Sequence, residues 1–269
     1  MNYILLIILS LFLCIIIAFG ITYLIYRLVK RRIKKPIFIL ITICETFINF
    51  MIGGLCYLSI YYHAESSVKA YLKSSDEVVV TKINNGYFFD GKGSNNAIIF
   101  YPGAKVEYSS YAPLMHNLAK EGIDTFLIDM PFNISFFGSN KASSIIKNYK
   151  YQNYYMMGHS LGGSVASIYA SKNKDKIKGV ILLASYSTKS LDSLECLSIY
   201  GSNDGVMNKK KYEENKKYFP SNYTEVIIDG GNHANYANYG KQKGDKTSTI
   251  SKEIQQKYTI DEIMEFLKV

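Results

Sequence analysis

Residues 154–167 read YYMMGHSLGGSVAS, and the reading of this stretch decides the fold. Tyr154–Met157 is a short apolar run suited to a buried strand, and Leu161–Ala170 opens a helix rich in small residues. Between them, Gly158-His159-Ser160-Leu161-Gly162 matches G-x-S-x-G. A sharp strand-to-helix turn crowds the backbone, so only small residues fit beside a serine held at its apex. The bare pattern specifies little. The strand before it and the small-residue helix after it make Ser160 a candidate nucleophile.

Working outward, strands and helices alternate. Glu77–Thr81 and Gly86–Asp90 read as paired strands around the turn signal Asn84-Asn85-Gly86. Ala97–Tyr101 is an apolar run that stops at Pro102-Gly103, and Thr125–Met130 is another that stops at Pro131. Helices are predicted over 111–120, 142–149, 161–170 and 260–267, and further strands over 179–184, 197–200 and 225–228. This order predicts an α/β fold with a mostly parallel sheet covered by helices on both faces. Ligands on such sheets bind beyond the carboxyl ends of the strands.

A serine hydroxyl needs a base, and in this arrangement the chain order is Ser, then Asp or Glu, then His. Of His63, His116, His159 and His233, only His233 follows Ser160. It sits in the loop Gly230-Gly231-Asn232-His233 after a strand. His159 fills the first variable position of the motif and reads as structural, and His116 as a packing or surface residue in a helix. The acid expected to hold the imidazole is Asp204, after the strand Leu197–Tyr200; Asp229, at the next strand end, is the alternative. Two backbone N–H groups must hold the oxyanion. Leu161 is expected to supply one, and Ala104, with Lys105 as the alternative, the other. About ten residues separate strands 179–184 and 197–200, too few for an inserted lid, so an open cleft is expected. Tyr101, Phe132, Phe136, Phe137 and Tyr186 are candidates to line it or to pack in the core. Cys196 reads as a buried, unpaired thiol.

The first quarter of the 269 residues is different. Tyr3–Tyr26 carries no charge and is long enough to cross a bilayer as a helix. A signal peptide would need basic residues before a shorter apolar run. A second run, Pro36–Tyr62, contains one acid, Glu45, read as hydrogen-bonded towards the first helix or as an intramembrane functional acid. The expected organisation is a transmembrane hairpin over 1–62, a juxtamembrane linker over 63–76 and a catalytic domain over 77–269.

The formal charge is +9, of which +5 falls in residues 1–62, with every basic residue of that part between Arg27 and Lys35. So concentrated, the excess reads as a topology signal and not as a nucleic-acid footprint. The positive-inside rule puts loop 27–35 in the cytoplasm, and with it the catalytic domain outside the cell membrane. Apolar residues make up 48% of the chain, which excludes a disordered protein. Cys14, Cys44, Cys56 and Cys196 lack metal-ligand spacing and are too few for a disulfide scaffold.

Three stretches carry a resemblance: FYPGAKVEYSSYAPL (100–114), GHSLGGSVAS (158–167) and GGNHANYANYGKQKGD (230–245), supported by LLASYS (182–187) and IYGSNDG (199–205). Over roughly 77–269 the chain resembles the α/β-hydrolase superfamily, and within it small bacterial hydrolases of carboxymethylenebutenolidase-like type tethered at the N-terminus. The resemblance implies the same Ser160, Asp204 and His233 triad. It also implies that Tyr239-Gly240 and Gln242-x-Gly244-Asp245 form a family signature. The two-span anchor departs from the single span common in that group.

The expected activity is that of a membrane-anchored serine hydrolase of carboxylic esters or thioesters, needing no metal or organic cofactor. Its expected partners are a small or surface-presented acyl substrate and the lipid bilayer. The alternatives are acyl transfer to an acceptor other than water, and an inactive hydrolase fold serving as a sensor or binding protein.

Overall fold

The computed structural model describes residues 3–28, 34–91, 93 and 95–268. The chain divides into two compact units, Met1–Ile60 and Tyr61–Val269.

The first unit holds helices α1 (Tyr3–Leu28) and α2 (Lys35–Ser59). By length and composition both are apolar enough to cross a membrane. Large apolar side chains lie exposed along them, such as Phe12 and Phe47. Glu45 does not face outward: the buried Thr22 hydroxyl of α1 donates to its Oε2 at 2.7 Å. The centre of the basic cluster, residues 29–33, lies outside the described residues.

In the second unit the strands are β1 (Val79–Ile83), β2 (Gly86–Asp90), β3 (Asn96–Tyr101), β4 (Asp124–Ile128), β5 (Asn153–His159), β6 (Gly179–Leu183), β7 (Glu195–Gly201) and β8 (Thr224–Ile228). They form one sheet in the order β1-β2-β4-β3-β5-β6-β7-β8. The first three strands in that order pair antiparallel, and every later pair is parallel. β4 and β6 are buried along their whole length, as continuous apolar runs in a sheet covered on both faces should be. The helices are α3 (Ala112–Lys120), α4 (Ala142–Asn148), α5 (Leu161–Lys172), α6 (Lys209–Asn215) and α7 (Lys252–Leu267). α3 packs on β4, α5 on β5 and β6, and α7 on β7 and β8. The chain leaves β3 towards β4 on one side and returns to β5 on the other. This reversal opens a crevice at the carboxyl ends of β3 and β5.

The 63–76 stretch, expected as a juxtamembrane helix or linker, carries a short helix at Ser66–Ala70 and packs within the second unit, and two element bounds are corrected. Tyr62 forms a bridge with Val106, the Glu65 amide donates to Asn238 O at 2.8 Å, and Val68 is buried. β1 lies two residues later than expected, because the two-residue turn Asn84-Asn85 sets its register, pairing Ile83 with Gly86. α7 begins eight residues before the expected 260, capped by Ser251, whose side chain accepts from the Ile254 amide.

Close packing explains the glycines of the quoted stretch. A Cβ on Gly162 would lie 2.1 Å from Tyr101 O and 2.3 Å from Pro102 O, and one on Gly158 would lie 2.5 Å from the backbone of Gly162 and Gly163. Gly162→Ala is therefore expected to cost about 3 kcal/mol or more, because two backbone segments would have to part. An unchanged denaturation midpoint would contradict this packing.

Candidate active site

Ser160 sits alone between the end of β5 and the start of α5, at φ 53° and ψ −125°. A non-glycine residue in that region is strained and persists only where its surroundings hold it. Here they do: the Ser160 amide donates to Leu183 O at 2.9 Å, and the Ser185 hydroxyl donates to Ser160 O at 2.6 Å. The side chain is half-buried at the mouth of the crevice.

Asp204 follows β7 and His233 follows β8, so both hang from the carboxyl edge of the sheet, and both are buried. His233 Nδ1 donates to Asp204 Oδ2 at 2.8 Å. Asp204 Oδ1 accepts the amides of Val206 and Met207, each at 2.8 Å. Burial alone would raise the Asp204 pKa. The hydrogen bond and charge of His233, with the two amides, outweigh it and hold the carboxyl below its usual range. With Nδ1–H committed to the carboxylate, the neutral ring carries its lone pair on Nε2, which is buried and has no partner among the described residues. Asp229 is exposed and accepts from Ser202 at 3.1 Å instead. His63 faces Glu107 at 3.6 Å, and His116 packs edge-on against Tyr71 and Phe89.

Ser160 and His233 line the same cavity of about 250 Å³, together with Leu161, Tyr186, Met207 and Asn208. Of the five aromatics expected to line a cleft or pack in the core, only Tyr186 lines this cavity. Tyr101 is wholly buried, its hydroxyl donating to Ser139 O, while Phe132, Phe136 and Phe137 point into solvent. A larger hollow of about 520 Å³, bounded by Lys174, Leu194 and Asn222, lies at the amino ends of the strands, away from these groups.

The loop after β3 lies against the start of α5, as the Gly162 contacts require. Among the described residues, the amides of Ala104 and Leu161 have no acceptor within the chain, whereas the Lys105 amide donates to Asn133 O at 2.7 Å. Behind this loop the Gly103 amide donates to the Tyr111 hydroxyl at 3.1 Å, and that hydroxyl is hydrogen-bonded with His159 Nδ1 at 2.7 Å. Burial, then the nearby His233, push the His159 pKa well down, so this ring is neutral. Its place is structural, 4.5 Å between ring centroids from His233. Cys196 is buried, which pushes its thiol up to about 12.

Two residues that hold the site together have no signal in local sequence pattern. Asp245 Oδ1 accepts the Gly205 amide at 3.0 Å and Oδ2 accepts the Ala234 amide at 2.9 Å. One carboxylate thus ties the residue after Asp204 to the residue after His233. Gln255 of α7 pairs with the backbone of Asn232, accepting from its N at 2.9 Å and donating to its O at 2.8 Å. These bonds give the signature Gln242-x-Gly244-Asp245 a physical role. Asp245→Ala is expected to cost about 1–3 kcal/mol, because charge-assisted bonds to the amides of Gly205, Ala234 and Lys246 are lost. Turnover should fall while the substrate KM changes little. A variant with unaltered stability and turnover would contradict the role of this carboxylate.

The sequence profile described as the alpha/beta hydrolase family matches residues 97–257. The chain belongs to the alpha/beta hydrolase family. No curated protein sequence matches it closely enough to count as a relative. Among solved structures it is similar to a predicted CIB-like hydrolase from Thermoplasma acidophilum, at 16% identity and a TM-score of 0.53 over 70% of this chain and 99% of that one. It is similar to the dienelactone hydrolase of Anabaena variabilis, at 13% identity and 0.53 over 70% and 98%. It is also similar to Est1E from Butyrivibrio proteoclasticus, solved with ferulic acid, at 14% identity and 0.50 over 73% and 98%. At such identities the likeness is one of fold.

Proposed function

We propose that this chain is a serine hydrolase of carboxylic esters or thioesters, anchored to a membrane by α1 and α2. The observation that carries the reading is the buried His233–Asp204 pair at 2.8 Å, with His233 lining the same cavity as Ser160 and its Nε2 without a partner among the described residues. In the proposed reaction His233 Nε2 takes the hydroxyl proton as Ser160 Oγ attacks the acyl carbon. The amides of Ala104 and Leu161 receive the oxyanion. The leaving alcohol or thiol departs with the proton from His233. Water then adds in the same way, releasing the acid and restoring Ser160.

The anchor reading is supported by the long uncharged faces of α1 and α2, whose exposed apolar side chains exceed what a soluble surface presents. Loop 27–35 is then cytoplasmic, and Tyr61–Val269 lies on the opposite side.

The test is pre-steady-state hydrolysis of a p-nitrophenyl ester by the full chain. A burst of one equivalent of nitrophenol, with the acyl group found on the protein by mass spectrometry, is the expected result. Alcohol and amine acceptors added in the second step separate hydrolysis from acyl transfer. A folded protein that gives neither burst nor turnover with esters or thioesters would overturn the reading in favour of a binding role.

A further inference from the structure

The chain enters its second unit beside the catalytic edge of the sheet. α2 ends at Ser59, and Tyr62 is already fixed: its amide donates to Lys105 O at 2.7 Å, and its carbonyl accepts the Glu107 amide at 2.9 Å. Only two residues, Ile60 and Tyr61, separate the end of α2 from this fixed point.

Two surface loops flank this entry point. On one side, Lys105 is bonded through its amide to Asn133 O, in the loop that leaves β4. That loop presents Phe132, Phe136 and Phe137 at 51%, 66% and 59% exposure. It is held in place, since Ser135 is buried and donates to Pro102 O at 2.6 Å, and Phe132 and Asn133 both adopt positive φ. The rings are therefore presented outward by a fixed backbone. On the other side, the Tyr62 hydroxyl accepts the Lys243 amide at 3.0 Å, in a loop where Lys241, Lys243 and Lys246 are exposed. Exposed aromatics and lysines around the point where an apolar segment joins the chain are the chemistry of a bilayer interface with anionic headgroups.

We propose that these two loops form a surface that docks on an anionic bilayer beside the anchor, so that the cleft takes acyl substrates presented at the membrane. This rests on the reading of α1 and α2 as an anchor. The occupant is lipid: the chain passes from α2 to this surface within two residues, and the lysines match the charge of anionic headgroups.

The protein contains no tryptophan, so a single introduced one reports alone. Full-length Phe136→Trp, Asn222→Trp and Phe47→Trp proteins would be reconstituted in phosphatidylcholine–phosphatidylglycerol vesicles with or without brominated acyl chains. Asn222 is exposed at the opposite, amino-terminal edge of the sheet, and Phe47 lies within α2. Expected is blue-shifted emission from Phe136→Trp with a loss of about half its intensity in brominated lipid, as for a ring at the acyl boundary. Asn222→Trp should be unaffected and Phe47→Trp strongly quenched. If Phe47→Trp is quenched and Phe136→Trp is not, the docking surface is wrong while the anchor stands. Equal quenching of Phe136→Trp and Asn222→Trp would also overturn it. An unquenched Phe47→Trp would overturn the anchor, and the docking surface with it.

Discussion

Ser160→Ala is expected to lower ester turnover by roughly 10⁴- to 10⁶-fold, with the fold intact. The loss is large because the hydroxyl forms the bond to the acyl carbon in the proposed reaction. Without it, only the oxyanion amides and the cleft are left to assist water. The fold should be indifferent, since among the described residues the Ser160 side chain makes no hydrogen bond that supports the turn. The turn is held by the amide and carbonyl of Ser160, which the substitution keeps. Stability within about 0.5 kcal/mol of wild type is expected, and thermal unfolding measured beside turnover separates chemistry from folding.

Asp204→Asn should lower turnover by about 10³- to 10⁴-fold with little change in shape. The amide oxygen can still accept from Val206 and Met207. The amide nitrogen would face His233 Nδ1 and donate to it. That reverses the tautomer, placing the proton on Nε2, where the ring must accept one. The same substitution has a pH signature. The folded pKa of Asp204 is depressed, so its stabilising contribution is present above the unfolded value near about 4 and is lost as pH falls through the folded one. The stability gap between wild type and variant should therefore shrink below about pH 4 in denaturant titrations. Asp229→Asn is the control and should leave turnover unchanged, since that carboxylate bonds Ser202 and not His233.

Where the chain pattern expressed burial, the sequence was legible. The β5 strand, the glycine turn and α5 follow from an apolar run beside small residues, and elimination among the histidines pointed to His233, while Asp204 and Asp229 both stayed open as the acid. The start of α7 was not legible, because its buried face carries Gln255, Gln256 and Thr259 where apolar residues would give a period. The two glutamines are buried to bond the backbone of the 232–238 loop, a partner that no local window contains, and Thr259 bonds back to Gln255 O within the helix. Asp245 is hidden for the same reason: its acceptors meet amides at 205 and 234, which only folding brings together. Ala104 and Lys105 differ by one backbone bond, Lys105 N–H to Asn133 O, and backbone bonds in loops leave no mark in side-chain pattern. The aromatic loop misled because Phe132, Phe136 and Phe137 have the composition of a cleft wall and the placement of an outer surface.

The most direct test of the central claim is intact-mass analysis of the full chain after exposure to a fluorophosphonate, followed by peptide mapping. One equivalent of phosphonate on Ser160, absent in Ser160→Ala and strongly slowed in His233→Ala, is the predicted result. A folded wild-type protein that stays unlabelled, or one labelled at a residue other than Ser160, would contradict it.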